Sequence, residues 1–150
     1  MTNRVRNIII ALVVVAICAL FAFGIMVGAA VVGYRAAIRS GNEAATIQNI
    51  KTIAATEAQY FYTHNRTFGT LDQLIKEQEL SQKFGGHPTV ADGYVFSLTV
   101  AAKPDGSSGY KITADPLNPE SGTNHFYLDS DDQRIHVNGE RQAGPTDPVM

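Results

Sequence analysis

The stretch NIIIALVVVAICALFAFGIMVGAAVVGY, residues 7–34, decides the fold. It carries no charged side chain, and all but its ends consist of Ile, Val, Leu, Ala, Phe, Met, Cys and Gly. At about 1.5 Å per residue this stretch reaches roughly 42 Å as a helix, whereas the hydrocarbon core of a bilayer is about 30 Å thick. A helix that is apolar on every face must lie in lipid or in a large protein core. We therefore predict a transmembrane helix at 7–34, in contact with membrane lipid, behind a short N-terminal tail at 1–6.

Two other interpretations of this stretch are weaker. The apolar region of a cleaved signal peptide usually spans about 7–15 residues, and this one is much longer. The residues before Cys18 have some likeness to a lipoprotein acylation signal, but Ile17 is too large for the position that precedes a lipidated cysteine. We expect a permanent anchor that crosses the membrane once.

The charge distribution separates this region from the rest of the chain. Residues 1–39 contain four of the 12 basic residues, two on each side of the apolar stretch, and no acidic residue. Residues 40–150 contain all 14 acidic residues, which disfavours a nucleic-acid partner. Because two arginines lie on each side of the apolar stretch, the positive-inside rule hardly distinguishes the two orientations. The acidic part that follows favours the orientation with the short tail on the cytoplasmic side and the rest of the chain on the opposite side. The single cysteine excludes an internal disulfide framework and a multi-cysteine zinc site.

The helix is predicted to continue past the membrane over residues 35–63. This segment contains no proline, and its only glycine is Gly41, which can weaken or bend a helix. Apolar residues recur there at spacings of three or four, at Ile47, Ile50, Ala54, Ala58 and Phe61. Such a stripe is typical of an amphipathic helix with one buried face, and Glu57 is expected on its solvated flank.

The remaining residues predict a small head domain at 64–140 and a flexible tail at 141–150. Thr70 can cap a short helix that begins at Leu71 and ends near Glu79. Alternating patterns predict two hairpins, with strands at Tyr94–Val100, Tyr110–Ala114, Asn124–Leu128 and Arg134–Val137. The amphipathic half of the helix laid on the apolar face of this antiparallel sheet gives an α+β fold.

Small residues recur on one face of the long helix. Gly24 and Gly28 form a Gly-xxx-Gly pair, and a second run at intervals of four comprises Ala29, Gly33, Ala37, Gly41 and Ala45. A strip without bulky side chains lets another helix approach closely. We predict that it packs against other membrane helices, from copies of this chain or from other subunits. The alternative is that glycine and alanine are simply common in membrane helices.

This layout resembles the type IV pilin and pseudopilin superfamily. The likeness is carried by NEAATIQNIKTIAATEAQYFYTHNRTFGTLDQLI at 42–75 and GYKITADPLNPESGTNHFYLDSDDQRIHV at 109–137. The resemblance implies a structural or assembly protein of a bacterial type IV pilus or secretion-type system, anchored in the inner membrane with its head periplasmic or extracellular. Residues 1–42 lack the acidic residue and the glycine-ended leader of that family. A single-pass accessory subunit of a larger membrane complex, without a filament, is therefore the alternative.

The search for reactive groups yields one candidate site. Asp129, Asp131 and Asp132 surround a predicted tight turn and could hold calcium with backbone carbonyls, as similar pseudopilins do in a C-terminal loop; a solvated turn is the alternative. The four histidines are scattered, and the sequence contains no phosphate loop, no nucleophile elbow and no acid–base pair. We expect no enzymatic activity, no other cofactor and no small-molecule substrate.

Overall fold

The computed structural model describes residues 3–77, 79–103 and 107–150 of the chain. Its helices are α1, Asn3–Thr63, and α2, Leu71–Lys76, followed by a 3-10 turn at Gln82–Phe84. The strands are β1, Thr89–Ala91; β2, Tyr94–Ala102; β3, Ser108–Pro116; β4, His125–Asp129; and β5, His136–Asn138. They form one antiparallel sheet in the order β1-β2-β3-β4-β5. A long N-terminal helix followed by a small antiparallel sheet confirms the predicted α+β class.

The chain divides into two compact units, residues 1–37 and residues 38–150. The first unit consists of the N-terminal part of α1, which is long and apolar enough to cross a membrane. Every large apolar side chain that the structure describes in this unit is exposed, from Val5 at 44% to Ile25 at 73%. The first unit therefore has no protein core of its own to cover it.

The helix begins earlier than the sequence predicted. Residues 3–6, assigned to the short tail before the membrane segment, are helical; Met1 and Thr2 lie outside the described residues. None of these four residues is a proline or a glycine, so the α-helix of the apolar stretch continues over them.

In the second unit the buried face of α1 overlaps the predicted stripe without coinciding with it. Ile50 is fully buried, and Ile47 and Ala54 are partly buried against the core, as predicted. Ala58 is exposed instead, and Ile53, which lies outside the predicted stripe, is fully buried. The other buried residues of α1 are Thr46, Asn49, Thr56, Glu57 and Tyr60. The buried face is thus rotated toward Ile53 and Tyr60, because an isoleucine and a tyrosine bury more apolar area than alanines do. This rotation carries four polar side chains inward, where each needs hydrogen-bond partners.

The core lies between this face of α1 and one face of the sheet. The sheet contributes alternate residues of its central strands, of which Ile112 is 0% and Phe126 is 1% exposed. β2 and β3 pair along their whole length, with Phe96 opposite Ala114, as the first predicted hairpin required. β4 pairs with both β3 and β5, so the second predicted hairpin is also present, displaced by one or two residues.

Strand β1 was not predicted, although the sequence contains a signal for it. Ala91 pairs with Tyr94, so β1 and β2 are joined by the two-residue loop Asp92-Gly93. Both loop residues have positive φ, 49° and 77°, as the type I′ hairpin turn requires. Asp-Gly between short apolar runs is among the strongest hairpin signals in a sequence.

Helix α2 is capped by Thr70, as its sequence predicted, and the cap is a capping box with Gln73. The Thr70 hydroxyl accepts a hydrogen bond from the Gln73 backbone N–H, and the Gln73 side chain accepts one from the Thr70 backbone. The helix ends at Lys76, earlier than predicted, and Leu74 and Ile75 are buried in the core. This short helix closes the core where α1 ends.

The segment 141–150 is ordered on the sheet, so the prediction of a flexible tail was wrong. Val149 bridges β5 at His136, and the Met150 backbone N–H donates to the Ile135 carbonyl at 3.0 Å. Ala143 and Asp147 are buried. The outer edge of β5 offers unpaired backbone groups, and this segment satisfies part of them.

Candidate functional site

Glu43, on α1, is hydrogen-bonded to the loop before β4. Its Oε1 accepts hydrogen bonds from the Thr123 backbone N–H at 2.9 Å, the Thr123 hydroxyl at 3.1 Å and the Asn124 backbone N–H at 3.3 Å. Its Oε2 accepts a bond from Asn124 Nδ2 at 2.8 Å. Burial opposes ionisation of Glu43, but these four bonds outweigh it and lower the pKa below 4.5. This contact has no local signature in the sequence, because the partners lie some 80 residues apart.

A second polar contact lies further along α1. Asn49 donates from Nδ2 to Asp92 Oδ2 at 2.8 Å, and its Oδ1 accepts a bond from Lys83 Nζ at 2.7 Å. Asp92 belongs to the β1–β2 turn, so one buried amide ties the helix to a hairpin and to the 3-10 turn. These contacts and the Glu43 contacts fix the register of α1 on the sheet.

Glu57 is fully buried, against the prediction that it lies on a solvated flank. Its Oε2 accepts a hydrogen bond from the Gly69 backbone N–H at 2.9 Å, which holds the loop after α1. Its Oε1 has no hydrogen-bond partner among the described residues. Burial raises the pKa of Glu57 to about 7; the Gly69 bond works against this rise and the charge of Glu79 adds to it.

His136 is buried and binds two acceptors at once. Its Nδ1 lies 2.6 Å from the Asp147 backbone carbonyl, and its Nε2 lies 2.8 Å from Asp132 Oδ2. Because a carbonyl and a carboxylate only accept, both ring nitrogens donate when the ring is protonated. The Asp147 bond and then the Asp132 bond raise the pKa of His136 above 6.5, against the effect of burial. The histidine thus connects the acidic turn to the C-terminal segment.

The three carboxylates of the candidate calcium turn do not converge. Asp129 Oδ1 accepts bonds from the backbone N–H groups of Asp131 at 2.9 Å and Asp132 at 3.1 Å. Asp131 contacts Lys103, and Asp132 binds His136. Among the described residues there is no group of three or more His, Cys, Asp or Glu side chains arranged to hold a metal ion. The geometry therefore gives no support to a calcium site at this turn.

The other histidines also bind carboxylates separately. His125 Nδ1 lies 2.6 Å from Asp115 Oδ1, and His64 Nε2 lies 2.8 Å from Glu77 Oε2. The His64 ring also stacks on Tyr60, with ring centroids 3.7 Å apart. Each pair links two neighbouring segments of the head.

The helix-packing candidates lie on α1. Gly24, Gly28, Gly33 and Gly41 each have nothing within 4 Å of the position where a Cβ would stand. Ala37 is exposed and Ala45 half-buried, whereas the side chain of Ala29 lies outside the described part of the chain. The four glycines thus leave open space for a neighbouring helix, and packing by this strip stays a prediction.

The outer face of the sheet carries a shallow groove of about 270 Å³, lined in part by Lys111, Tyr127 and Asp129. Tyr127 donates from its hydroxyl to Asp129 Oδ2 at 2.9 Å. Burial, followed by that bond and the neighbouring aspartates, raises the pKa of Tyr127 to about 12. The phenol is therefore protonated at neutral pH and cannot act as a general base.

Comparison of the chain with protein-family models, with curated proteins and with solved structures gives no match.

Proposed function

We propose that this protein is a membrane-anchored structural protein of the pilin-like type, which assembles through its N-terminal helix and presents its head for contacts outside the membrane. In this proposal the apolar part of α1 lies in a bacterial cytoplasmic membrane and the head lies on the periplasmic or extracellular side. The protein has no catalytic role.

One observation carries the proposal. A single helix, α1, has an uncovered apolar first part, and its second part supplies the spine of a head with an antiparallel sheet. A soluble protein does not leave so many large apolar side chains in water, so lipid and other helices are the natural surroundings of residues 7–34.

Close helix packing supplies the mechanism of assembly. Between helices in lipid there is no hydrophobic driving force, so association depends on van der Waals contact and close backbone approach. The open glycine positions along α1 allow that approach.

The second candidate is a single-pass accessory subunit of a larger membrane complex, without a filament. It is favoured by the lack of any acidic residue before Glu43, where pilin-like chains carry a glutamate within the apolar run. The same helix strip would then contact a different protein.

Sheared and membrane fractions of cells that express the full chain distinguish the two candidates. Filaments that contain this chain, together with loss of a short leader in the intact mass, support the pilin-like function. A stable complex with other membrane proteins and a retained Met1 segment support the accessory subunit. A chain recovered only as an intact monomer in the membrane contradicts both.

A matched pair of variants tests the mechanism. Gly33→Leu fills the open strip and is expected to lower the yield of cross-linked assemblies by roughly tenfold. Val32→Leu adds one methylene at a neighbouring exposed position and is expected to leave the yield unchanged. Equal yields from both variants would contradict packing through this face.

A further inference from the structure

Two buried carboxylate oxygens lie unpaired where the end of α1 meets the segments that follow it. Glu57 Oε1 and Glu79 Oε2 are both buried, and neither has a hydrogen-bond partner among the described residues. Glu57 is fully buried on α1, and Glu79 lies just after α2. A buried carboxylate oxygen without a donor is costly, so a proton or a cation is needed to make this arrangement stable.

Among the residues that the structure describes, the groups that act on Glu57 carry no positive charge. Glu57 accepts a hydrogen bond from the Gly69 backbone N–H, and it interacts electrostatically with Glu79. Tyr60 on α1 and Tyr110 on β3 also face it, and its charge raises the pKa of both.

In the described part of the chain, a paired histidine lies at the rim of this cluster. His64, in the loop after α1, binds Glu77 at 2.8 Å and stacks on Tyr60. None of the ion pairs in the described residues includes Glu57 or Glu79. The two carboxylates therefore repel each other when both are ionised.

We propose that Glu57 holds a proton beneath the loop at 64–70, and that loss of this proton to solvent releases the loop from α1. With the proton in place, the Glu57 carboxyl is neutral and the Gly69 bond anchors the loop. Without it, the charge of Glu57 is buried near that of Glu79, and opening the loop lets water solvate it. This device does not depend on the proposed function.

The direction of the pH effect follows from linkage. Burial raises the pKa of Glu57 from 4.5 to about 7, whereas the opened loop returns it toward the ordinary value. The closed form thus binds the proton more tightly, and closure weakens as pH rises from 4.5 through 7. Between pH 5.5 and 8 the opening equilibrium is expected to rise by roughly 30-fold.

Amide hydrogen exchange of the full chain in detergent micelles measures this opening. After correction for intrinsic exchange rates, protection of the Gly69 amide should fall by roughly 30-fold between pH 5.5 and 8. The carboxyl carbon of Glu57, followed by NMR over the same range, should titrate with a midpoint near 7. Protection that is the same at both pH values, or a midpoint near 4.5, would overturn the proposal.

Variants separate the effect of these two carboxylates from a general effect of pH on the fold. Glu57→Gln should make the protection of Gly69 independent of pH. If that variant does not fold, Glu79→Gln provides the test, because loss of the second charge should lower the midpoint of Glu57. Glu140→Gln removes the same charge at an exposed position and should change neither result. A Glu57 midpoint that does not move in Glu79→Gln would overturn the proposal.

A cation in place of the proton is the remaining alternative. Calcium chloride added at pH 8 should leave the Gly69 protection at the level found with a chelator. If calcium instead restores protection and shifts the Glu57 carboxyl resonance, the two carboxylates bind a cation, and the proposal that a proton is held there is wrong.

Discussion

Glu57 and His136 show how single residues gain roles that hydropathy does not reveal. Both are buried, and each binds a backbone group that lies 11 or 12 residues away in the sequence. The helical stripe marks which face is apolar, but it does not show which polar side chains are buried with that face. Neither backbone partner can be located until the positions of the loop and the C-terminal segment are known. The prediction from sequence therefore put Glu57 in solvent.

The two hydrogen bonds of the His136 ring predict that the stability of the head depends on pH. The raised pKa means that the folded chain holds the proton more tightly than the unfolded chain does. The stabilisation is complete below pH about 6 and is lost as pH rises through the folded pKa. The free energy of unfolding of the full chain in detergent should therefore fall between pH 5.5 and 8.5.

His136→Gln isolates this contribution. The variant should lose roughly 1–3 kcal/mol of stability at pH 5.5 and much less at pH 8.5, because only the protonated ring satisfies both acceptors. Its pH slope should be reduced but not abolished, since Glu57 acts in the same direction. The exposed His87→Gln is the control. An unchanged slope in His136→Gln would refute this role.

At the scale of elements, the predictable features were those encoded locally. The uninterrupted helix follows from composition, the start of α2 from the capping residue Thr70, and the β2–β3 hairpin from strict alternation. The missed features depend on distant partners: the rotated face of α1 depends on which side chains the sheet accepts, and the C-terminal segment is ordered by the free edge of β5. The β1 hairpin is different, because the Asp-Gly signal was present.

The rotated face of α1 predicts which residues carry its docking energy. Ile53→Ala should destabilise the head by about 3 kcal/mol, because Ile53 is fully buried between helix and sheet and its truncation leaves a cavity. Gln59→Ala, on the exposed face of the same helix, should change stability by less than about 0.5 kcal/mol. Chemical unfolding of the two variants measures the difference. Similar effects from both would mean that the helix does not dock by this face.

The C-terminal segment is expected to be part of the stable head. Deletion of residues 141–150 should lower the thermal midpoint by roughly 5–10 °C, because it uncovers the edge of β5 and removes the acceptor of His136 Nδ1. The exposed Thr146→Ala should leave the midpoint unchanged. A deletion variant that melts like the full chain would show that the segment is dispensable.

At the scale of the whole molecule, the account depends on the apolar part of α1 lying within a bilayer. The composition of residues 7–34 was sufficient to predict this placement, because no local pattern is needed when every face is apolar. Function could not be predicted in the same way. It depends on which helix or protein the small-residue strip contacts, and a single chain does not carry that information.

Labelling of Cys18 in intact membranes tests this claim most directly. Cys18 is the only cysteine and lies near the middle of the apolar stretch, where lipid keeps its thiol out of reach of a membrane-impermeant maleimide. The comparison protein combines Cys18→Ala with Gln133→Cys at the exposed turn before β5. The account predicts that Cys18 reacts only after the membranes are dissolved in denaturing detergent, whereas the cysteine at 133 reacts in opened but undissolved membranes. Labelling of Cys18 in those undissolved membranes at the rate found for position 133 would contradict the account.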